Sequence, residues 1–370
     1  MATRRFVFGV LAIILGYPTC LCLTPEERIA RAMDALQHVY IVQTSQCVEG
    51  TQETLNLQFN HSAWARLMDP AIRTANLLTT LIVNHNNSLH AISEEMMYSM
   101  VRNNVHQSSL TYGSGIAIEA DVYKYEIFCA YAYKDNGTIV AIDIAVNYDY
   151  RDPTTVWWWG LKNKTFDHIK VRQDTVMYRL GDELLPEVYE NQPLAALDDG
   201  YWTQPYYDCG GGNIWMVTYV SPFFAYDHDK KQVQFKGASG IDIELTNIDI
   251  NQCDPDGTLE GAMDVFRGTH QCLSSTKCVP LTGHGFKRGT YKCVCREGFY
   301  FPKVNAREKS YDGFEMEAYL FANDGEVDEG FVKLYSCAVC EPGCEVCVDD
   351  TPCLYIRNPV IRIIVLTLTV

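Results

Sequence analysis

The stretch that decides the fold runs from Asp199 to Leu245: DGYWTQPYYDCGGGNIWMVTYVSPFFAYDHDKKQVQFKGASGIDIEL. Within it, Asn213 to Val220 and Gln232 to Leu245 are rich in β-branched and aromatic residues and read as strands. Gly237 and Gly240 stand in the second run as candidate bulges. Ser221-Pro222-Phe223-Phe224 reads as the turn that ends the first strand.

More strand-like runs lie upstream, at Gly115 to Tyr125, Tyr125 to Tyr133 and Thr138 to Val146. Asp135-Asn136-Gly137 between the last two is a hairpin signal, because Asn-Gly suits a turn that needs positive φ. Before them come two helical patterns. Thr24-Pro25-Glu26-Glu27 offers a cap, a first-turn proline and first-turn acids, and predicts a helix to about residue 42. A second runs from Ser62 to about Val83, with Trp64, Leu67, Ile72, Leu77 and Leu81 on its apolar side. Pro70 inside it predicts a break near Asp69 or two helices. Long helices followed by a mainly antiparallel sheet make an α+β sensor domain over 23–252.

The N-terminus places the chain. Arg4 and Arg5 precede an apolar run from Phe6 to Tyr17, with Cys20 and Cys22 as small residues near a cleavage point. Residues 1–22 read as a secretory signal peptide; the run is short for a membrane anchor. Of 15 cysteines, most fall after residue 250, which reads as a disulfide framework in an oxidising compartment. Asn60, Asn86, Asn136 and Asn163 each head a glycosylation sequon. Val360 to Val370, VIRIIVLTLTV, reads as the start of a transmembrane helix within 354–370; a buried β-branched strand is the other reading. The formal charge of -16 argues against nucleic acid, since phosphate binding needs clustered Lys and Arg. It argues equally against docking on an anionic membrane surface.

Residues 253–353 form a small second domain that needs staples, because its apolar periodicity is poor. Residues 303–335 read as an insertion. Cys337, Cys340, Cys344, Cys347 and Cys353 have spacings that zinc would accept in a cytosolic protein; behind a signal peptide they read as disulfides. Cys253, Cys272, Cys278, Cys293, Cys295 and Cys337 leave many connectivities open. Their order, and Cys293-Val-Cys295 followed by Gly298-Phe299-Tyr300, resembles an EGF-like module. That resemblance implies the pairs Cys253–Cys278, Cys272–Cys293 and Cys295–Cys337. Asp249-Ile-Asn251-Gln252-Cys253 looks like the start of a calcium-binding member of that group, and its oxygens suit a hard cation. Pro280 stands where such modules carry Asn or Asp, so the plainer reading is a capped loop without metal.

The Trp202-Thr203-Gln204-Pro205-Tyr206-Tyr207-Asp208 segment, the Pro222-Phe223-Phe224 turn and the Lys236-Gly237-x-x-Gly240-x-Asp242-Ile243 strand resemble Cache-type (PAS-like) sensor domains. Tyr148 to Pro153 and Trp157 to Trp159 stand where such domains carry their ligand-contact segment. A Cache domain, an EGF-like module and a Cys-rich stalk before a membrane helix together resemble the ectodomains of class C orphan G-protein-coupled receptors of the metabotropic glycine receptor family. The resemblance implies a plasma-membrane receptor, facing outward, that binds glycine or a similar small amino acid. An amino-acid site needs a cation or paired hydroxyls for the carboxylate, and acids and aromatic faces for the ammonium. Asp208 matches the family's ammonium-binding acid, and Arg73 with Thr74 the carboxylate-binding pair. Tyr148 and Tyr150 are candidate pocket walls. A homodimer, or a matrix or cell-surface protein partner, stays open. The alternative function is an adhesion or scaffold ectodomain. No cofactor is implied, and no H-E-x-x-H, G-x-S-x-G or P-loop pattern is present, so an enzyme is not expected.

Overall fold

The computed structural model describes residues 24, 27, 31–36, 38–39, 54–55, 61–185, 188–208, 212–254, 264–323 and 325–351. The expected signal segment, the terminal apolar run, Asn60, Cys47, Cys209 and Cys353 lie outside the described residues.

Residues 31–36 and 38–39 are helical, within the first expected helix. A 3-10 turn over Ser62–Met68 then leads into α1, Asp69–Asn84. Pro70 sits in the first turn of α1, where a missing N–H costs nothing, so it starts the helix and does not kink it. α1 buries Ala71, Thr74, Ala75, Leu78, Thr79 and Ile82, a stripe at helical spacing. α2, Glu94–His106, escaped the sequence reading. Its cap is regular: Ser93 accepts from the Met96 N–H at 3.2 Å, and Glu94 and Glu95 fill the first turn.

Three strands come next: β1 (Thr111–Ile118), β2 (Cys129–Asp135) and β3 (Thr138–Asp143). The β2–β3 turn has φ of 46° at Asn136 and 81° at Gly137, as its Asn-Gly requires. After them stand a short helix α3 (Val156–Lys162) and a projecting ladder of β4 (Val171–Val176) with β7 (Val188–Pro193). Its tip is β5 (Arg179–Leu180) with β6 (Glu183–Leu184). β8 (Tyr201–Trp202), β9 (Tyr206–Asp208), β10 (Ile214–Asp227) and β11 (Gln232–Glu244) complete the sensor sheet. It is antiparallel, in the order β3-β2-β1-β11-β10-β8, with β9 also on β10.

The expected Pro-Phe-Phe turn is a correction. β10 runs straight through Pro222 to Asp227. β8 pairs with β10 only at Tyr219 and Val220, so Pro222 sits where β10 has no neighbour on that side and needs no ladder N–H. Two residues on, the Phe224 N–H donates to the Thr79 hydroxyl of α1 at 3.0 Å.

The sheet has two distinct faces. Ile116, Val217, Tyr219, Ile241 and Ile243 point to α1 and α2 and form the main core. Ala117, Cys129, Val220, Phe224 and Ala238 point the other way, against Tyr150 and Trp158.

The remaining elements are β12 (Thr276–Pro280), β13 (Tyr291–Cys295), β14 (Phe299–Tyr300), β15 (Ser310–Asp312), α4 (Gly313–Ala322), α5 (Glu329–Tyr335) and β16 (Ala338–Val339). Disulfides join Cys253–Cys278, Cys272–Cys293, Cys295–Cys337 and Cys340–Cys347, and Cys344 is also disulfide-bonded. The first three are the pairs the EGF-like resemblance implies. The insertion does more than fill a loop: Met316, Leu320 and Phe331 from α4 and α5 build a small core over Cys293 and Cys337.

The stalk is welded to the sensor sheet. Phe266 and Phe286 are buried in the same cluster as Trp215, Leu245, Ile248 and Ile250. Asp249 clamps the joint, accepting the N–H groups of Gly283 (2.9 Å), His284 (3.0 Å) and Gly285 (2.8 Å). Gly285 has φ of +72°, and a Cβ there would collide with the Thr246 carbonyl. These contacts fit the capped-loop reading of the segment: both Asp249 oxygens accept from amides, and buried Asn251 turns its oxygen to the Cys253 N–H at 3.1 Å.

Candidate ligand site

β11 reads Gly240-Ile241-Asp242-Ile243. Strand alternation sends both isoleucines to the helical core and Asp242 to the opposite face. Asp242 is 7% exposed there. Tyr131 of β2 donates its hydroxyl to Asp242 Oδ2 at 2.7 Å, and Thr218 of β10 donates to Oδ1 at 2.6 Å. Tyr206 Oη lies 3.0 Å from Thr218 Oγ1. Because the Thr218 proton is given to Asp242, Tyr206 is the donor in that pair.

Burial pushes the Asp242 carboxyl above its usual range; the two hydroxyls pull it back, and the charge of Asp208 raises it further. Burial likewise pushes the Tyr131 and Tyr206 hydroxyls well up, and that of Tyr112 up to about 12. Asp208 ends β9 and accepts the Gly212 N–H at 2.7 Å. Glycine lets Tyr131 pack close against β1: a Cβ at Gly113 would collide with the Tyr131 hydroxyl and lie 3.1 Å from Asp242 Oδ2. A Cβ at Gly115 would lie 3.4 Å from the Tyr131 ring and 3.9 Å from Cys129 Sγ. Cys129 is a free, buried thiol, pushed up by desolvation and so held protonated. Tyr148 is 41% exposed, and its hydroxyl accepts from the Trp157 indole N–H at 3.2 Å. Asp242 and Cys129 act on that hydroxyl, on top of the desolvation that raises it.

Asp208, whose charge raises the Asp242 carboxyl, and Tyr148 stay candidates for the site. Three sequence candidates do not. Arg73 is 83% exposed at its side chain and lies 3.9 Å from Asp69 of its own helix. α1 covers the other face of the sheet, so Arg73 cannot reach Asp242. Thr74 is buried on the helical side, donating to Asn104 Oδ1 at 3.2 Å. Tyr150 is a fully buried core residue whose hydroxyl donates to the Ile118 (2.6 Å) and Phe128 (3.1 Å) carbonyls. The residues that sequence reading missed are Asp242, Tyr131, Thr218 and Tyr206. The signal for Asp242 was available: a carboxylate between two core isoleucines in a strand must face away from them.

Among the described residues, His270, Cys272 and Cys278 come close enough to hold a metal, but both sulfurs are spent in disulfides. A separate cavity of about 170 Å³ lies beside α4, where Arg288 and Glu317 are committed to each other at 2.6 Å.

Residues 201–300 match the family model described as GPR158/179 extracellular domain. That stretch of the chain is similar to these orphan class C receptor ectodomains. A second family model, the first PDC sensor domain of methyl-accepting chemotaxis protein-like proteins, matches residues 97–176, from α2 through β1–β3 and α3 to β4. The metabotropic glycine receptor of Bos taurus is 29% identical over 222 residues, covering 58% of this chain and 17% of that protein. G-protein coupled receptor 179 of Mus musculus is 31% identical over 205 residues, covering 50% of this chain and 8% of that protein. The chain thus spans less than a fifth of the length of the curated relatives it matches. Among solved structures, methyl-accepting chemotaxis protein X aligns at 16% identity and a TM-score of 0.32, over 59% of this chain and 62% of its own. The sensory domain of the Campylobacter jejuni chemoreceptor Tlp1 aligns at 10% and 0.30, over 72% and 88%. Both superpositions are too loose to add to the family matches. These relatives are receptors and sensor domains, and the fold described above is α+β and Cache-type, followed by a Cys-rich stalk. No helix among the described residues is long and apolar enough to cross a membrane.

Proposed function

We propose that the chain is the ligand-binding head and stalk of a plasma-membrane G-protein-coupled receptor, and that it senses a small ammonium-bearing molecule, glycine or a similar small amino acid. The observation that carries this reading is Asp242: a buried carboxylate, hydrogen-bonded by two hydroxyls, with no ion pair among the described residues. A buried anion without a cation is costly, and an ammonium ion with Tyr131, Tyr148 and Tyr206 around it relieves the cost. Asp208 supplies a second negative charge. The role read here for the cluster is binding.

The route outward is short. β11 carries Asp242 and runs on to Leu245, Ile248 and Ile250, which hold Phe286 of the stalk. Ligand binding that favours one packing of this joint would bias the position of the stalk. The reading includes removal of residues 1–22, membrane anchoring by 354–370, and glycans on Asn86, Asn136 and Asn163, all exposed, and on Asn60. Calorimetric titration of glycine into the full chain tests it. Binding lost in both Asp242→Asn and Asp208→Ala is the expected result; saturable binding untouched by either substitution refutes the assigned site.

A scaffold reading has one observation in its favour. Met177, Leu180 and Leu184 are exposed at the tip of the β4–β7 ladder. Loss of cell-surface partner capture on replacing the three with Ser, with ligand binding intact, would support it.

A further inference from the structure

The joint between sensor and stalk holds a cavity of about 170 Å³. We propose that it is a second binding site, separate from the Asp242 cluster, and that it takes a small aromatic carboxylate.

The size sets the body of the ligand. An apolar cavity of roughly 150 Å³ takes a benzene ring. The walls suit one. Phe314, Ala318 and Phe321 fall at i, i+4 and i+7 of α4, so they form one stripe along it. Phe314 is 37% and Phe321 46% exposed. Val39 of the N-terminal helical segment adds a branched apolar wall and belongs to the core that holds Phe286. The aromatic wall is positioned by its own chain: a Cβ at Gly289 would lie 3.0 Å from the Phe314 ring, and the Phe314 N–H donates to Asp312 at 2.8 Å. Such a lining gains most from a flat apolar body.

Charge sets the other end. Among the described residues, the ionisable side chains of the lining are Lys287, Arg288 and Glu317. Glu317 is saturated. Its Oε2 accepts from Arg288 Nε at 2.8 Å and Nη2 at 2.6 Å, and its Oε1 from Gln252 at 3.0 Å and Tyr291 at 3.1 Å. These bonds use the lone-pair positions of a carboxylate and leave none for a cationic ligand. Arg288 and Glu317 also cancel each other's charge. Lys287 is exposed and has no ion pair among the described residues. Its ammonium is the charge left over, and it selects for an anion.

The walls come from three parts of the chain: the N-terminal helical segment, the loop directly after Phe286, and α4 of the insertion. A molecule seated between them binds the assembled joint and not its separated parts, so it stabilises the joint.

The test uses the full chain and three one-ring probes of different charge: benzoate, benzyl alcohol and benzylamine. Each is titrated by calorimetry and scanned for its effect on Tm. Benzoate is expected to raise Tm and to bind about three- to fivefold tighter than the other two, the range that a partly exposed ion pair supports. Lys287→Ala should remove that preference and leave benzyl alcohol unchanged. Ala318→Phe fills the cavity from an exposed helix position and should abolish binding of all three, while its unliganded Tm reports that the fold is kept. Asp242→Asn should leave benzoate binding as it was. Benzylamine binding tighter than benzoate, or a benzoate preference that survives Lys287→Ala, overturns the assigned charge. Binding that survives Ala318→Phe, or that disappears in Asp242→Asn, overturns the assigned place. Binding of none of the three overturns the proposal and leaves the amino-acid reading of the Asp242 cluster standing.

Discussion

Asp242 shows how one residue separates folding from function. Its carboxyl is raised by burial, so the folded chain holds its proton more tightly than the unfolded chain does. Stability from this group is fully present below the unfolded carboxylate range and is lost as pH rises through the raised value. The expected outcome is that wild type gains stability relative to Asp242→Asn as pH falls from 7 towards 4, read as a widening difference in Tm. An unchanged difference would remove the burial argument. The two neighbouring tyrosines make a second residue-scale contrast. Tyr150→Phe strips a donor from two buried carbonyls and should cost about 1–3 kcal/mol in denaturant unfolding, with ligand affinity unchanged. Tyr148→Phe should leave stability within about 0.5 kcal/mol and alter affinity, because Tyr148 is the exposed one of the pair, its hydroxyl accepting from the Trp157 indole. Sequence could place Tyr148 and Asp208 near a site through family pattern. It could not separate Tyr148 from Tyr150, since two residues apart in a strand means the same face, and this segment is a loop in which that rule fails. Arg73 misled for a related reason: helix periodicity gives a side chain's angle on its own axis, not which face of a sheet the helix covers.

At the scale of elements, the strands of the sensor were legible because their residues are β-branched and their turn carries Asn-Gly. α2 was not, because its mean pattern is polar and its signal is a cap. β10 was cut short in the reading because Pro222 looks like a strand end; only the absence of a pairing neighbour makes it tolerable. The loop at Gly283–Gly285 is the element on which the joint depends. Asp249→Ala leaves three N–H groups without their acceptor and is expected to cost about 2–4 kcal/mol, whereas millimolar calcium should leave Tm unchanged. A calcium-dependent rise in Tm would restore the metal reading. Phe286→Ala empties a fully buried site between sheet and stalk, and about 3–5 kcal/mol of stability should go with it.

Across the whole molecule, the sensor sheet and the stalk share a core, through Trp215, Phe266 and Phe286. Calorimetry under non-reducing conditions should accordingly show one cooperative unfolding transition; two well-separated transitions would mean that the joint is weaker than its packing implies. The first three disulfides of the Cys-rich part were readable through the resemblance of its cysteine order to an EGF-like module. The weld between sensor and stalk was not, because Phe286 is a single aromatic in a glycine-rich loop and carries no periodic signal.

Cys129 gives this architecture a built-in clock. Its thiol is the free one among the described cysteines, shut in beside Gly115 under the Asp242 cluster. A small alkylating reagent can mark it only when the chamber breathes, so the rate of labelling counts openings. A molecule seated on Asp242 would slow that count without touching sulfur, and the slowing would register occupancy in an unmutated chain.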